Sequence, residues 1–127
     1  MKNSLIIPVE PIAKERPRLG RNNNIYTPKA TRDYEELIGW YATRLPRYEG
    51  FVSLNVTFFC SPQRKMPDID NLIKALLDGL QKGGAIVDDV QVSEINACRM
   101  LEHLKPRVEL RIVPLDPVRA LSEAPGG

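Results

Sequence analysis

Two short acidic clusters bracket one apolar stretch of this 127-residue chain. In Pro67-Asp68-Ile69-Asp70-Asn71 two carboxylates stand two residues apart; where the segment is extended, both project to one side and can share a cation. Mg²⁺ takes a few carboxylates, several waters and a substrate phosphate. Two aspartates can therefore begin a site, and a third from elsewhere completes it. Asp88-Asp89 is the candidate. A helix from Asn71 to Lys82 would run about 18 Å, and Gly83-Gly84 with a returning strand could carry this pair back beside Asp68. Each cluster also has a plainer reading: Asp-x-Asp before a helix can be an N-cap with a favourable dipole contact, and Asp-Asp between apolar residues can be a turn. An EF-hand loop does not fit, because its third ligand and its glycine would fall on Leu72 and Ile73.

Lys74 lies on the polar side of the same stretch, four residues before Asp78. There it could steady a phosphate or the charge that develops in phosphoryl transfer, or it could form an exposed i, i+4 pair with Asp78. Net charge is only +2, but its distribution is uneven. Residues 1–32 hold Lys2, Lys14, Arg16, Arg18, Arg21, Lys29 and Arg32 against Glu10 and Glu15, whereas Asp68, Asp70, Asp78, Asp88 and Asp89 gather in 64–89. Cations that hold phosphates beside carboxylates that hold metal would suit an enzyme acting on a polyanion. The expected nucleic-acid contacts are Lys14, Arg16, Arg18, Arg21 and Lys29 in the arm, Arg64 and Lys65 in a polar turn, and Asn71.

The elements that must position these residues follow from periodicity. Leu5-Ile6-Ile7 reads as a short strand ended by Pro8. Residues 8–28 form a long loop, with a short hairpin around Asn22-Asn23-Asn24 before Ile25-Tyr26-Thr27. From Pro28 or Thr31, the spacing of Tyr34, Leu37, Ile38, Tyr41 and Leu45 predicts a helix that Pro46 stops. Val52, Leu54, Val56, Phe58 and Cys60 alternate with more polar residues as a half-buried strand. A second helix runs from about Asn71 to Lys82, with Asp70 as N-cap, an apolar face of Leu72, Ile73, Leu76, Leu77 and Leu80, and Gly83-Gly84 as its stop. Ala85-Ile86-Val87 is a short strand, Val90 to Met100 is extended, and Val108, Leu110 and Ile112 mark the last strand. The expected fold is a single α+β domain over residues 1–113, with a mainly antiparallel or mixed sheet and two helices packed on it. Residues 114–127 read as a loosely held tail.

No apolar run reaches the roughly 18 residues of a membrane span, and the N-terminus lacks a signal-peptide core; the expectation is a cytoplasmic protein. Cys60 and Cys98 with the lone His103 cannot make a four-ligand zinc site, and both cysteines are expected to be reduced and buried. The lone histidine also leaves no Ser/His/Asp arrangement, and no GxxxxGK[ST] loop is present to favour a nucleotide hydrolase.

The runs Asp68-Ile-Asp70-Asn71-Leu-Ile-Lys74-Ala-Leu-Leu-Asp78-Gly-Leu and Gly84-Ala-Ile-Val-Asp88-Asp89-Val-Gln91-Val resemble the signature of the RusA family of endodeoxyribonucleases. Lys14-Glu-Arg16-Pro17-Arg18 and Tyr26-Thr27-Pro28 resemble the N-terminal region of its phage-borne members. The resemblance spans about residues 5–113 and does not extend to the tail. It implies a RusA-like fold and a homodimer that binds four-way (Holliday) junctions and cuts two opposed strands with Mg²⁺, Mn²⁺ being able to substitute. By position it implies Asp68, Asp70 and Asp89 as metal carboxylates, Asp88 as a further candidate, and Lys74 as the catalytic lysine. The alternatives are a structure-selective or nonspecific nuclease acting on flaps or forks, and a non-catalytic DNA-binding module.

Overall fold

Strict alternation makes the central strand: Val52, Leu54, Val56, Phe58 and Cys60 are all buried, and they project to one side of the strand Val52–Cys60. The computed structural model describes residues 3–15 and 18–115, with the backbone alone at Arg18. In chain order the elements are β1 (Ser4–Ile7), β2 (Arg18–Leu19), a 3₁₀ turn (Arg21–Asn23), β3 (Ile25–Tyr26), α1 (Lys29–Ala42), β4 (Val52–Cys60), α2 (Ile69–Lys82), a second 3₁₀ turn (Asp89–Gln91), β5 (Val92–Leu101) and β6 (Arg107–Pro114). The sheet order is β1-β6-β4-β5. β6 is antiparallel to β1 and to β4, whereas β4 and β5 are parallel. The sheet is thus mixed, and the two helices bury its Val52-Val56-Phe58 face in one core with Ile38, Leu72, Leu76, Leu80 and Ile112.

The parallel pair has a direct cause. The chain leaves the end of β4, returns along α2 and enters β5 from the other end, which is a βαβ crossover. Ala85-Ile86-Val87, expected as a strand, supplies only one parallel bridge, Tyr48 to Ile86. The expected hairpin is present as β2 paired with β3, and its turn holds Asn22 and Asn23 at φ 63° and 59°, a region asparagine tolerates better than most residues.

Both helices differ in detail from the periodicity. Leu37 is exposed; the buried face of α1 is Thr31, Tyr34, Glu35, Ile38, Gly39 and Ala42. α2 starts two residues early, so Asp68 rather than Asp70 is the N-cap and Asp70 lies in the first turn. Ile73 and Leu77 are only partly buried, and Ala75 and Gly79 complete the inner face. Cys60 is buried, but Cys98 is exposed: it sits opposite Thr57 on the sheet face away from the helices. Pro114 closes β6, and the Leu115 N–H donates to the Phe51 carbonyl at 2.8 Å. The remainder of the expected tail, 116–127, lies outside the described residues.

The helices cross at glycines. A Cβ on Gly79 would stand 2.5 Å from the Ile38 Cβ, and one on Gly83 would stand 2.9 Å from the Ala42 Cβ. Glycine is required here by the closeness of α1. Gly79→Ala should therefore destabilise the protein by about 1–3 kcal/mol, the range for overpacking, although alanine is the better helix former. A urea-melt midpoint equal to or above the wild type would show that the helices can move apart freely.

Candidate functional site

The two acidic clusters lie at opposite ends of the crossover. Asp68 and Asp70 are at the amino end of α2, next to the carboxyl end of β4. Asp88 and Asp89 come after α2 and just before β5, whose first residue, Val92, pairs with Val52 at the start of β4. The 14 residues of α2 span about 21 Å. The expected return of Asp89 to Asp68 within one chain therefore does not occur: β5 runs parallel to β4, so its amino end is the far end. Among the described residues, no group of three or more His, Cys, Asp or Glu side chains is close enough to hold a metal ion. What the chain offers is two open, all-oxygen half-sites with exposed carboxylates. A single chain fits a closed metal cage poorly. Each half fits Mg²⁺ better, which needs only one or two carboxylates beside waters and a phosphate.

At the first end, Asp68 is extended (φ −69°, ψ 136°) and its carboxylate makes no capping bond; its main-chain carbonyl accepts from the Leu72 N–H at 3.0 Å. The carboxylate is thus left free while the backbone starts the helix. Arg99, from the edge strand β5, donates to the Pro67 carbonyl and holds the turn before Asp68. A groove beside it is lined by Glu10, Ile12, Lys65, Asp68 and Asn71. Its rim is fixed by Glu10, which accepts from the Ser61 N–H at 3.1 Å and from the Ser61 hydroxyl. Arg64 and Lys65 are exposed on this turn, and Asn71 is half-buried.

Asp70, Lys74 and Asp78 follow one another at four-residue steps along α2. The alternative, a Lys74–Asp78 pair, does not form. Asp78 is held by Lys14 at 2.9 Å, and Lys74 is exposed with no ion pair among the described residues. Lys14 also donates to Glu35 at 2.8 Å, and its main-chain N–H donates to the Asn71 carbonyl at 2.9 Å. Lys14, expected as a phosphate contact, forms a clasp that fastens the N-terminal segment to both helices. Glu35 is 3% exposed and takes a second cation, Lys82, at 2.9 Å. Burial pushes the Glu35 carboxyl up, but the bonds from Lys14 and Lys82 outweigh it and leave the pKa below the ordinary value. Burial pulls Lys14 down, and Asp78 and Glu35 more than restore it.

At the second end, Asp88 caps the 3₁₀ turn, its carboxylate accepting from the Val90 N–H at 3.1 Å. That bond, with one to Asp89, holds the Asp88 pKa low. Asp89 is raised by the hydrogen bond with Asp88, and then by the charges of Asp88 and Asp78. Of the other expected contacts, Lys29 pairs with Asp33 at 2.6 Å and Arg21 is exposed. Arg16 and the Arg18 side chain lie outside the described residues. The sequence alone assigns no role to Gln91, Arg99 or Glu35. The Asp-Asp-x-Gln spacing was the available signal for Gln91; for Arg99 the signal is the β4–β5 register, which no single strand reveals.

The sequence profile of the family described as "Endodeoxyribonuclease RusA" matches residues 8–113. The "Crossover junction endodeoxyribonuclease RusA" of Aquifex aeolicus (strain VF5) is 33% identical over 63 residues, covering 50% of this chain and 49% of that relative. The match thus spans about half the length of each protein.

The Glu35 clasp predicts a pH dependence. A carboxyl with a lowered folded pKa contributes stability that is present above its unfolded value, near 4.5, and is lost as pH falls through the folded value. Glu35→Gln should cost about 2 kcal/mol at pH 7, discounted for the partial exposure of both lysines. That difference should shrink towards zero as the pH is lowered from 4.5. Denaturant melts of the two proteins across this range check it; a gap that is constant with pH would mean that the charge of Glu35 is immaterial.

Proposed function

Because the chain belongs to the RusA family of endodeoxyribonucleases, we propose that it is a Mg²⁺-dependent endonuclease that resolves four-way DNA junctions in the cytoplasm by paired strand cuts, working as a homodimer. The observation that carries this reading is the amino end of α2: Asp68 and Asp70 are exposed, the Asp68 carboxylate makes no capping bond, and Lys74 lies one turn on with no ion pair among the described residues. A protein that only bound DNA would gain nothing from free carboxylates where phosphates must approach. When bound, Mg²⁺ supplies an activated water and neutralises charge on the phosphate; Mn²⁺ would serve in its place. Asp68 and Asp70 would hold it on one side. Lys74 adds a fixed positive charge for the transition state, and Arg64, Lys65 and Arg21 hold the DNA backbone.

The separation of the half-sites supports the dimer. In an isologous pair, the Asp88–Asp89 turn of one copy would meet the amino end of α2 in the other, giving two equal sites for a substrate with two-fold symmetry. The turn suits docking: Val87 and Val90 beside it are 48% and 74% exposed. The positive end of the α2 dipole also favours acidic neighbours.

Three outcomes are expected. Asp70→Asn should abolish cleavage of a synthetic four-way junction in Mg²⁺ while keeping junction binding; wild-type rates in this variant would remove Asp70 from the site. Lys74→Ala should slow single-turnover cleavage by about a hundredfold, and an unchanged rate would return Lys74 to the surface. Asp70→Asn and Asp89→Asn chains, each inactive alone, should regain nicking when mixed and re-associated, because one of the two shared sites is then intact. Absence of complementation in a proven heterodimer would locate each site within one chain. Equal cutting of junction, flap and plain duplex would replace junction resolution with nonspecific nuclease activity.

A further inference from the structure

We infer that Gln91 is a positioning residue that fixes the Asp88–Asp89 turn; its link to catalysis rests on the reading of Asp89 given above. The turn is exposed, as are both of its aspartates. With no core beneath these side chains, an acidic turn of this kind should fray. Gln91 prevents it. Its side chain is buried at 8% exposure, and its Oε1 accepts from the Val87 N–H at 2.6 Å and the Asp88 N–H at 3.0 Å. Its Nε2 donates to the Tyr48 carbonyl at 2.8 Å and the Gly50 carbonyl at 2.9 Å.

All the hydrogen-bonding capacity of one amide is therefore used. One half grips the backbone just before Asp89, and the other grips the segment that leads into β4. The same segment is tied to the end of the crossover by the Tyr48 N–H, which donates to the Ala85 carbonyl at 2.8 Å. Glutamate could not fill this place, since it would set an oxygen against the two carbonyls. A residue of the same shape without polar atoms would leave four backbone groups unpaired. Gln91 touches no substrate: it acts by fixing the Asp89 backbone, and with it the direction in which that carboxylate is presented. Supporting partners of metal-binding carboxylates set affinity in this way, and losing one costs about 10–100-fold.

The test compares Gln91→Met, which keeps the volume and removes all four bonds, with Gln91→Asn, which keeps the chemistry at shorter reach. Amide hydrogen exchange reads the clamp without any catalysis. Exchange at Val87 and Asp88 should quicken in Gln91→Met while the β4 amides stay protected; no change there would overturn the clamp. Single-turnover junction cleavage should need about tenfold more Mg²⁺ for half-maximal rate, with metal-free junction binding within twofold of wild type. Quicker exchange with unchanged Mg²⁺ dependence would make Gln91 merely structural and overturn the positioning role. Should Gln91→Met fail to fold, Gln91→Asn gives the same two readouts, judged in the same way. Should the wild type cut no junction, the functional reading fails instead. A calorimetric Mg²⁺ isotherm of the wild type and the variant then decides: equal affinities overturn the role, and a weakened variant upholds it.

Discussion

The parallel pairing of β4 with β5 is the constraint on which the rest depends. A parallel neighbour forces the chain to cross back over the sheet before it can pair, and α2 is that crossing. The aspartates before and after the helix are therefore kept apart by its length. An antiparallel β5 would have allowed them to meet at one end. The same crossover explains why α2 must be apolar on its inner face, and why it presses on α1 closely enough to require glycine at 79. In the sheet order β5 lies at one edge, and its exposed Ile95, Met100 and Leu101 border on backbone that no other described strand pairs, which sheets normally cover or pair.

Two polar locks keep this arrangement rigid without using the core. Glu35 gathers Lys14 and Lys82, and so ties the N-terminal segment, α1 and α2 together. Gln91 ties the exit of the crossover to the entry of β4. Each is a buried polar group whose partners come from elements distant in sequence. Groups of this kind cost free energy unless fully satisfied, so they favour one packing of the helices over near alternatives.

Legibility in the sequence followed the range of the interaction. β4 could be read because its alternation is local, and α2 because its leucines repeat with the helical period. Asp68, Asp70 and Lys74 stood out because they lie within seven residues of one another at a helix start. Strand direction was not legible: Val92–Leu101 has the same composition whether it pairs parallel or antiparallel, and the placement of Asp89 depends entirely on that choice. The ion pairs of Lys14 are illegible for a related reason. A lysine in a polar loop looks free until its acidic partners are known, and Glu35 and Asp78 are 21 and 64 positions away. Burial is the usual state of a cysteine, yet Cys98 lies on the sheet face away from the helices and is exposed.

The clasp also decides which cations remain to act outward. Lys14, Lys82 and Lys29 face carboxylates of the same chain, and Arg107 is held by Glu102 and Glu109. Arg21, Arg64, Lys65 and Lys74 make no ion pair among the described residues, and Arg99 meets only a carbonyl near Asp68. The cations Arg64, Lys65, Lys74 and Arg99, none of them in a described ion pair, thus lie around the amino end of α2 and outnumber the carboxylates of Asp68 and Asp70 there. The excess of negative charge lies at the other end of the crossover, where Asp88 and Asp89 adjoin Asp78 and only Asp78 has a lysine. A chain polarised in this way repels a copy of itself end to like end and attracts it end to opposite end. On the proposed reading, polyanion and acidic turn would both be drawn to the amino end of α2, and a divalent cation there would relieve the repulsion between them.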